Sequence, residues 1–220
     1  MGDFVILVSP LEATVLVLVP VVLIWFRIVS AAYRLYLLGF LTTVIALLIW
    51  LRGGSAVQMG FSGFGPLHET LLQYGVYVLI AVPIITWLAW LVGATPVSKW
   101  WREPHFTIGF IPISAVQQLL FQSIFLTSFV AAFGAWLPAI MLTAFLFGFI
   151  HLIYPRPGFS FVLGTIGGIC FAILFLLNGN VWVAIAAHAL LNFVAVQRAL
   201  FSFFEEEEVR PTELRASIDT

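Results

Sequence analysis

Charged residues are scarce in this chain of 220 residues. Asp, Glu, Lys and Arg together make up 9% of the sequence, whereas apolar residues make up 62%. A soluble domain of this composition would have too few charges to cover its surface, so the composition is typical of an integral membrane protein. The formal net charge of −1 also gives no electrostatic reason to expect a nucleic-acid partner.

Cysteine and processing signals are scarce too. Cys170 is the single cysteine, so no disulfide can form within the chain. The first residues, Met-Gly-Asp-Phe, lack the basic segment of a signal peptide, so we expect the first apolar run to be retained as a helix. Because the sequence does not end in a Cys-a-a-X box, we do not expect it to be prenylated itself.

Acidic residues are missing from a long central stretch. Between Glu103 and Glu205 there is no Asp or Glu. A carboxylate that acts as a general base or as a metal ligand is therefore absent from this part of the sequence.

Long apolar runs fill most of the chain. Membrane-spanning helices need about 20 apolar residues, and the sequence contains seven such runs, at about 7–28, 33–51, 72–93, 108–132, 136–153, 160–177 and 181–203. We therefore predict an all-α, polytopic membrane helix bundle with about seven transmembrane helices. It forms one membrane domain, residues 1–204, and residues 205–220 form an acidic, disordered cytoplasmic tail.

The basic residues indicate the orientation. Eight of the nine lie on one side of the predicted bundle, and Arg52 lies on the other. The positive-inside rule makes the side with eight cytoplasmic, so we predict an outer N-terminus and a cytoplasmic C-terminus. The membrane that we expect is a prokaryotic plasma membrane or an internal membrane.

The sequence contains one Gly-rich connection between helices and one motif for helix packing. The Gly-rich connection at 53–66 is typical of a flexible loop, and the alternative is insertion into the membrane interface through Met59, Phe61 and Phe64. Gly164 and Gly168 have the GxxxG spacing that lets two helices approach closely.

Polar side chains inside three of the apolar runs form the candidate site. Each needs a protein partner, because lipid cannot satisfy its hydrogen bonds. From the depth of each residue along its helix, at about 1.5 Å per residue, we expect Gln117, His151, His188 and Asn192 to meet in one polar pocket. The full set of candidate residues is Gln117, Gln118, Gln122, Phe147, His151, His188 and Asn192.

These residues resemble the motifs of the CPBP intramembrane proteases, a family that comprises CAAX proteases and bacteriocin-processing (ABI) enzymes. The family pattern is Glu-Glu-x-x-x-Arg, then Phe-x-x-x-His, then His-x-x-x-Asn or Asp. Phe147 and His151 match the second motif, and His188 and Asn192 match the third. The resemblance covers about residues 108–200 and implies the CPBP helical fold.

The first motif departs from the family pattern at every charged position. The resemblance places a water-activating glutamate at position 117, with His151 as its partner, and an oxyanion site at His188 and Asn192. An arginine at position 122 would pair with a second glutamate at 118. This chain has Gln117, Gln118 and Gln122 instead. A neutral amide can hold a water molecule but cannot take a proton from it.

Several interpretations remain open at this stage. The first is a catalytically inactive CPBP-like protein that binds or assembles membrane proteins, or holds a transmembrane or lipidated peptide, within lipid. The alternative is an intramembrane endopeptidase that processes prenylated or transmembrane peptides, so the sequence alone does not decide whether the chain is an enzyme. No cofactor is expected; zinc held by His151 and His188 is the weaker alternative, because a third ligand of the usual type is missing. The glutamines are native or engineered, and the sequence does not distinguish the two.

Overall fold

The computed structural model describes residues 6–29, 33–54, 57, 59–61, 63, 65–98, 100, 110–154 and 156–200. Throughout these ranges, every regular element is a helix. We number the seven helices in chain order, treating contiguous helical segments as one: α1 Pro10–Trp25, α2 Arg34–Leu51, α3 Leu67–Leu91, α4 Phe110–Phe133, α5 Trp136–Ile153, α6 Pro157–Asn178 and α7 Val181–Gln197. The tail predicted at 205–220 lies outside the described residues.

The prediction of an all-α membrane bundle is confirmed. Helices α3, α4, α5 and α6 are long and apolar enough to cross a membrane, and the apolar parts of α1, α2 and α7 are shorter. Helix α7 ends six residues before the predicted end, at Gln197 rather than 203. It stops there because Ala199 has a left-handed backbone, with φ of 55°. Helix α3 begins before the predicted start at 72, because Pro66 provides its N-cap and Leu67 its first turn.

Helix α4 forms the centre of the bundle. In its most apolar window, 72% of the residues are buried, a larger share than in α3, α5 or α6. Its middle segment, Leu119–Leu126, is a π-helix, and each residue from Leu120 to Leu126 is buried. A π-helix bonds i to i+5, so side chains four residues apart do not keep the common face of an α-helix.

Helices α5 and α6 approach each other through small residues. A Cβ added to Gly168 would lie 3.0 Å from the Cα of Ala144, and one added to Gly148 would lie 2.8 Å from the carbonyl oxygen of Phe161. These distances leave no room for a side chain. The glycines that the sequence assigned to helix packing therefore lie in a close helix–helix contact.

The loop between α2 and α3 packs against the bundle where it is described. Ser123 on α4 donates a hydrogen bond to the carbonyl of Met59, and the backbone amide of Val181 donates to the carbonyl of Gly60 at 3.1 Å. The indole of Trp182 donates to the carbonyl of Phe61 at 3.2 Å. The interpretation as a flexible loop is thus wrong for residues 59–61, because α4 and α7 bind their carbonyls. Phe64 lies outside the described residues.

The opposite charges of Glu12 and Arg52 meet at one end of the bundle. Arg52 Nη2 lies 3.0 Å from Glu12 Oε1, and Arg52 Nη1 also donates to the carbonyl of Leu7 at 2.6 Å. The hydrogen bond to Glu12 raises the pKa of Arg52 above its usual value. This pair places the beginning of α1 beside the end of α2. The assignment of this end to the outer face stays a prediction.

Candidate functional site

Helix α7 contributes two polar side chains to the interior. His188 is buried, and its ring lies 5.2 Å from the ring of Phe171 and 5.5 Å from that of Phe147, measured between centroids. One turn later, Asn192 donates from Nδ2 to the hydroxyl of Ser114 on α4 at 3.1 Å. The i,i+4 spacing of His188 and Asn192 therefore directs both towards the centre of the bundle.

His151 lies where helix α5 tightens into a 3₁₀ turn, Ile150–Ile153. Its Nδ1 lies 2.7 Å from the carbonyl oxygen of Phe147, one turn earlier. Because a carbonyl can only accept, Nδ1 carries the proton of the neutral ring, and Nε2 is left as the acceptor. The ring also packs on that of Phe147, with 4.9 Å between the centroids.

The three glutamines of α4 have three different environments. Gln118 is fully buried, and its Nε2 lies 2.8 Å from Nδ1 of His188. Gln122 is also fully buried, yet neither atom of its amide has a hydrogen-bond partner among the described residues. Gln122 lies within the π-helix, and its amide does not bond to that of Gln118. Gln117 lines a separate cavity.

A cavity of about 250 Å³ lies between helices α3, α5, α6 and α7. We call it the histidine cavity, because the two buried histidines form its polar side. Four of the seven candidate residues line it: Phe147, His151, His188 and Asn192. Most of the remaining wall is apolar and comes from α3 and α6. Gln118 bonds to His188 without lining the cavity itself.

Gln117 is not in the wall of the histidine cavity. It lines a second cavity of about 50 Å³, which we call the Gln117 cavity, between α1, α2, α4 and the end of α5. The structure thus brings His151, His188 and Asn192 together in one cavity and places Gln117 in another.

Two contributors to the site were not predicted from the sequence. Ser114 is the partner of Asn192, and its position three residues before Gln117 in an apolar run was a usable signal. Phe171 packs on His188, but one phenylalanine among 22 gives no such signal.

Carboxylates are absent from the wall of the histidine cavity in the described part of the chain. In the same ranges, no group of three or more His, Cys, Asp or Glu residues lies close enough to hold a metal ion. With Gln118 Nε2 as the donor, Nδ1 of His188 accepts, and its Nε2 carries the proton. The site therefore offers an imidazole acceptor on His151, an imidazole donor on His188 and an amide on Asn192.

The protein is therefore a membrane helix bundle with an enclosed polar site, which contains two histidines and an asparagine. In a comparison with protein families, residues 98–194 match the model described as type II CAAX prenyl endopeptidase, Rce1-like. This segment contains all seven candidate residues. The resemblance to the CAAX proteases is confirmed for it, and the chain is a membrane protein with an Rce1-like segment. No curated protein and no solved structure matches the chain.

Proposed function

We propose that this protein is a non-hydrolytic relative of the CAAX proteases, in which the histidine cavity binds a lipidated or transmembrane peptide without cutting it. The observation that carries the proposal is the wall of the histidine cavity, which among the described residues has two imidazoles and an amide but no carboxylate. An amide can orient an imidazole but cannot accept a proton from water.

The chemistry of the cavity wall supports a peptide ligand. His151, His188 and Asn192 supply hydrogen-bond groups on one side, and aliphatic side chains such as Ile80 and Leu163 supply the rest. A peptide backbone needs such partners in a membrane, and a lipid chain needs the apolar wall. The volume of about 250 Å³ fits a part of such a ligand.

A role in the assembly of membrane proteins is the wider form of the proposal. The outer surface of α3 is apolar and exposed, with Leu79 at 75% and Trp90 at 73% relative exposure. Such a surface can contact the helices of another membrane protein as readily as lipid.

The single cysteine of the chain provides the test. Cys170 lines the histidine cavity and is partly accessible. The purified protein in mild detergent is treated with an apolar maleimide, with or without a peptide that ends in a prenylated cysteine. We expect the peptide to slow the labelling of Cys170 several-fold, because it occupies the space beside the thiol. The same peptide without its lipid should protect less.

A matched control separates the cavity from the outer surface. Val162 is on the same helix, is 54% exposed and does not line the cavity. In a Cys170→Ser background, the Val162→Cys thiol should react equally fast with and without the peptide. If Cys170 reacts at an unchanged rate at saturating peptide, the cavity is not the binding site and the proposal fails.

The endopeptidase is the second candidate function. It is favoured by the shared wall of Phe147, His151, His188 and Asn192, the residues that match the second and third family motifs. In this case Nε2 of His151 would act as the base without a carboxylate. A cleavage assay distinguishes the two functions.

A further inference from the structure

The Gln117 cavity is separate from the histidine cavity and has a floor and a rim. Its floor is formed by the buried residues Val17, Val21, Leu41 and Gln117. Half-buried residues form the rim: Pro20, Ile24, Leu37, Leu38, Ile113, Ile150, Ile153 and Tyr154. The half-buried rim includes residues of α1 and α2, two apolar helices of the bundle.

Gln117 is a buried polar residue in a mostly aliphatic wall. The side chain is only 4% exposed, and its Oε1 has no hydrogen-bond partner among the described residues. Apart from Gln117 and Tyr154, the wall is aliphatic. A buried amide oxygen without a partner is unfavourable, so a group that can bond to it gains more here than on the surface.

We propose that the Gln117 cavity binds the end of a long-chain lipid that carries a single hydroxyl group. A hydroxyl can donate to the amide oxygen or accept from the amide nitrogen, so it suits either orientation of the Gln117 side chain. An ionic headgroup does not fit, since no charged side chain is among the described residues of the wall.

The size of the cavity agrees with this ligand. A water-sized group needs roughly 10–15 Å³, and the cavity has about 50 Å³. The space therefore accepts the hydroxyl and a few carbon atoms. The rest of the apolar chain passes over Leu37 and Leu38 at the rim and continues into the surrounding lipid.

The test uses two probes on the unmodified protein in mild detergent. One is a 16-carbon alcohol with a diazirine in its chain, and the other is the same molecule with a methyl group in place of the hydroxyl. We expect the alcohol to label the rim segments of α1 and α2 more strongly, by roughly 2- to 10-fold at equal concentration, which is the effect of one hydrogen bond. Equal labelling of these segments by both probes would overturn the proposal.

Two variants on α4 localise the effect. Gln117→Leu should remove the preference for the alcohol, because the amide is lost and the apolar wall is kept. Gln122→Leu is the matched control, since this buried glutamine does not line the cavity, and its preference should equal that of the unmodified protein. If Gln117→Leu does not fold, the comparison of the two probes on the unmodified protein still tests the proposal. The proposal does not depend on peptide binding in the histidine cavity.

Discussion

Gly164 lies where helix α6 touches the imidazole of His151, and its replacement tests the packing around the site. An added Cβ would lie 2.9 Å from both Cγ and Nδ1 of His151 and 3.2 Å from the Cα of Gly148. Side chains do not tolerate such distances, so Gly164→Ala must move the imidazole or push α5 away from α6. Overpacking of this kind costs about 1–3 kcal/mol.

Gly167 provides a control on the same helix. A Cβ there meets nothing within 4 Å. Both substitutions gain the same backbone term, about 0.5–1 kcal/mol for Gly to Ala within a helix. The difference between the two variants therefore isolates the steric cost, and we expect Gly164→Ala to be less stable than Gly167→Ala by about 1–3 kcal/mol.

The assay is equilibrium unfolding by SDS in mixed micelles, followed by circular dichroism. The free energy of unfolding is compared between the two variants and the unmodified protein. Gly167→Ala should equal or exceed the unmodified protein in stability. Equal stability of the two variants would show that α5 and α6 do not approach as closely at His151 as the structure has them.

Further predictions concern the contacts of the site and the orientation of the chain in the membrane. Gln118→Leu removes the donor to His188 Nδ1 and should lower the free energy of unfolding by about 1–3 kcal/mol. Gln122→Leu should be neutral or stabilising, because it removes a buried amide without partners in the described residues; equal losses in both variants would contradict this reasoning. A double-mutant cycle of Asn192→Leu and Ser114→Ala should give a coupling of about 0.5–1.5 kcal/mol, and a coupling near zero would show that their 3.1 Å bond does not form. In a Cys170→Ser background, Asp3→Cys but not Arg215→Cys should react with an impermeant maleimide in intact cells; equal reaction of both would refute the predicted orientation.

Much of the fold was predictable because lipid imposes strict conditions on a chain. Apolar runs of sufficient length predicted all seven helices, since backbone groups in a membrane must bond within their own helix. The helix ends were less predictable, because they depend on local backbone geometry, such as the left-handed conformation at Ala199. The contacts that the loop at Met59 makes with α4 depend on tertiary packing, which no local pattern of glycines reveals.

The candidate site was predictable where its residues follow α-helical spacing. Phe147 and His151, like His188 and Asn192, are four residues apart, and both pairs line one cavity. The glutamines of α4 were less predictable, because Gln122 lies in a π-helix and Gln117 lines a different cavity from the one that holds the histidines. The depth of Gln117 along its helix could not indicate on which side of α4 the amide lies.

The central claim is that this protein binds peptides without hydrolysing them, and a cleavage assay tests it most directly. Purified protein in lipid is incubated with a prenylated peptide, and products are quantified by mass spectrometry. Two variants are assayed in parallel with the unmodified protein. One is His151→Ala, and the other is the triple variant Gln117→Glu, Gln118→Glu and Gln122→Arg, which restores the first family motif. We predict that the unmodified protein and His151→Ala release the same background amount of product; product above this background in the triple variant would show that the first motif is what the chain lacks for cleavage. Robust cleavage by the unmodified protein that is lost in His151→Ala would contradict the account and establish the endopeptidase in its place.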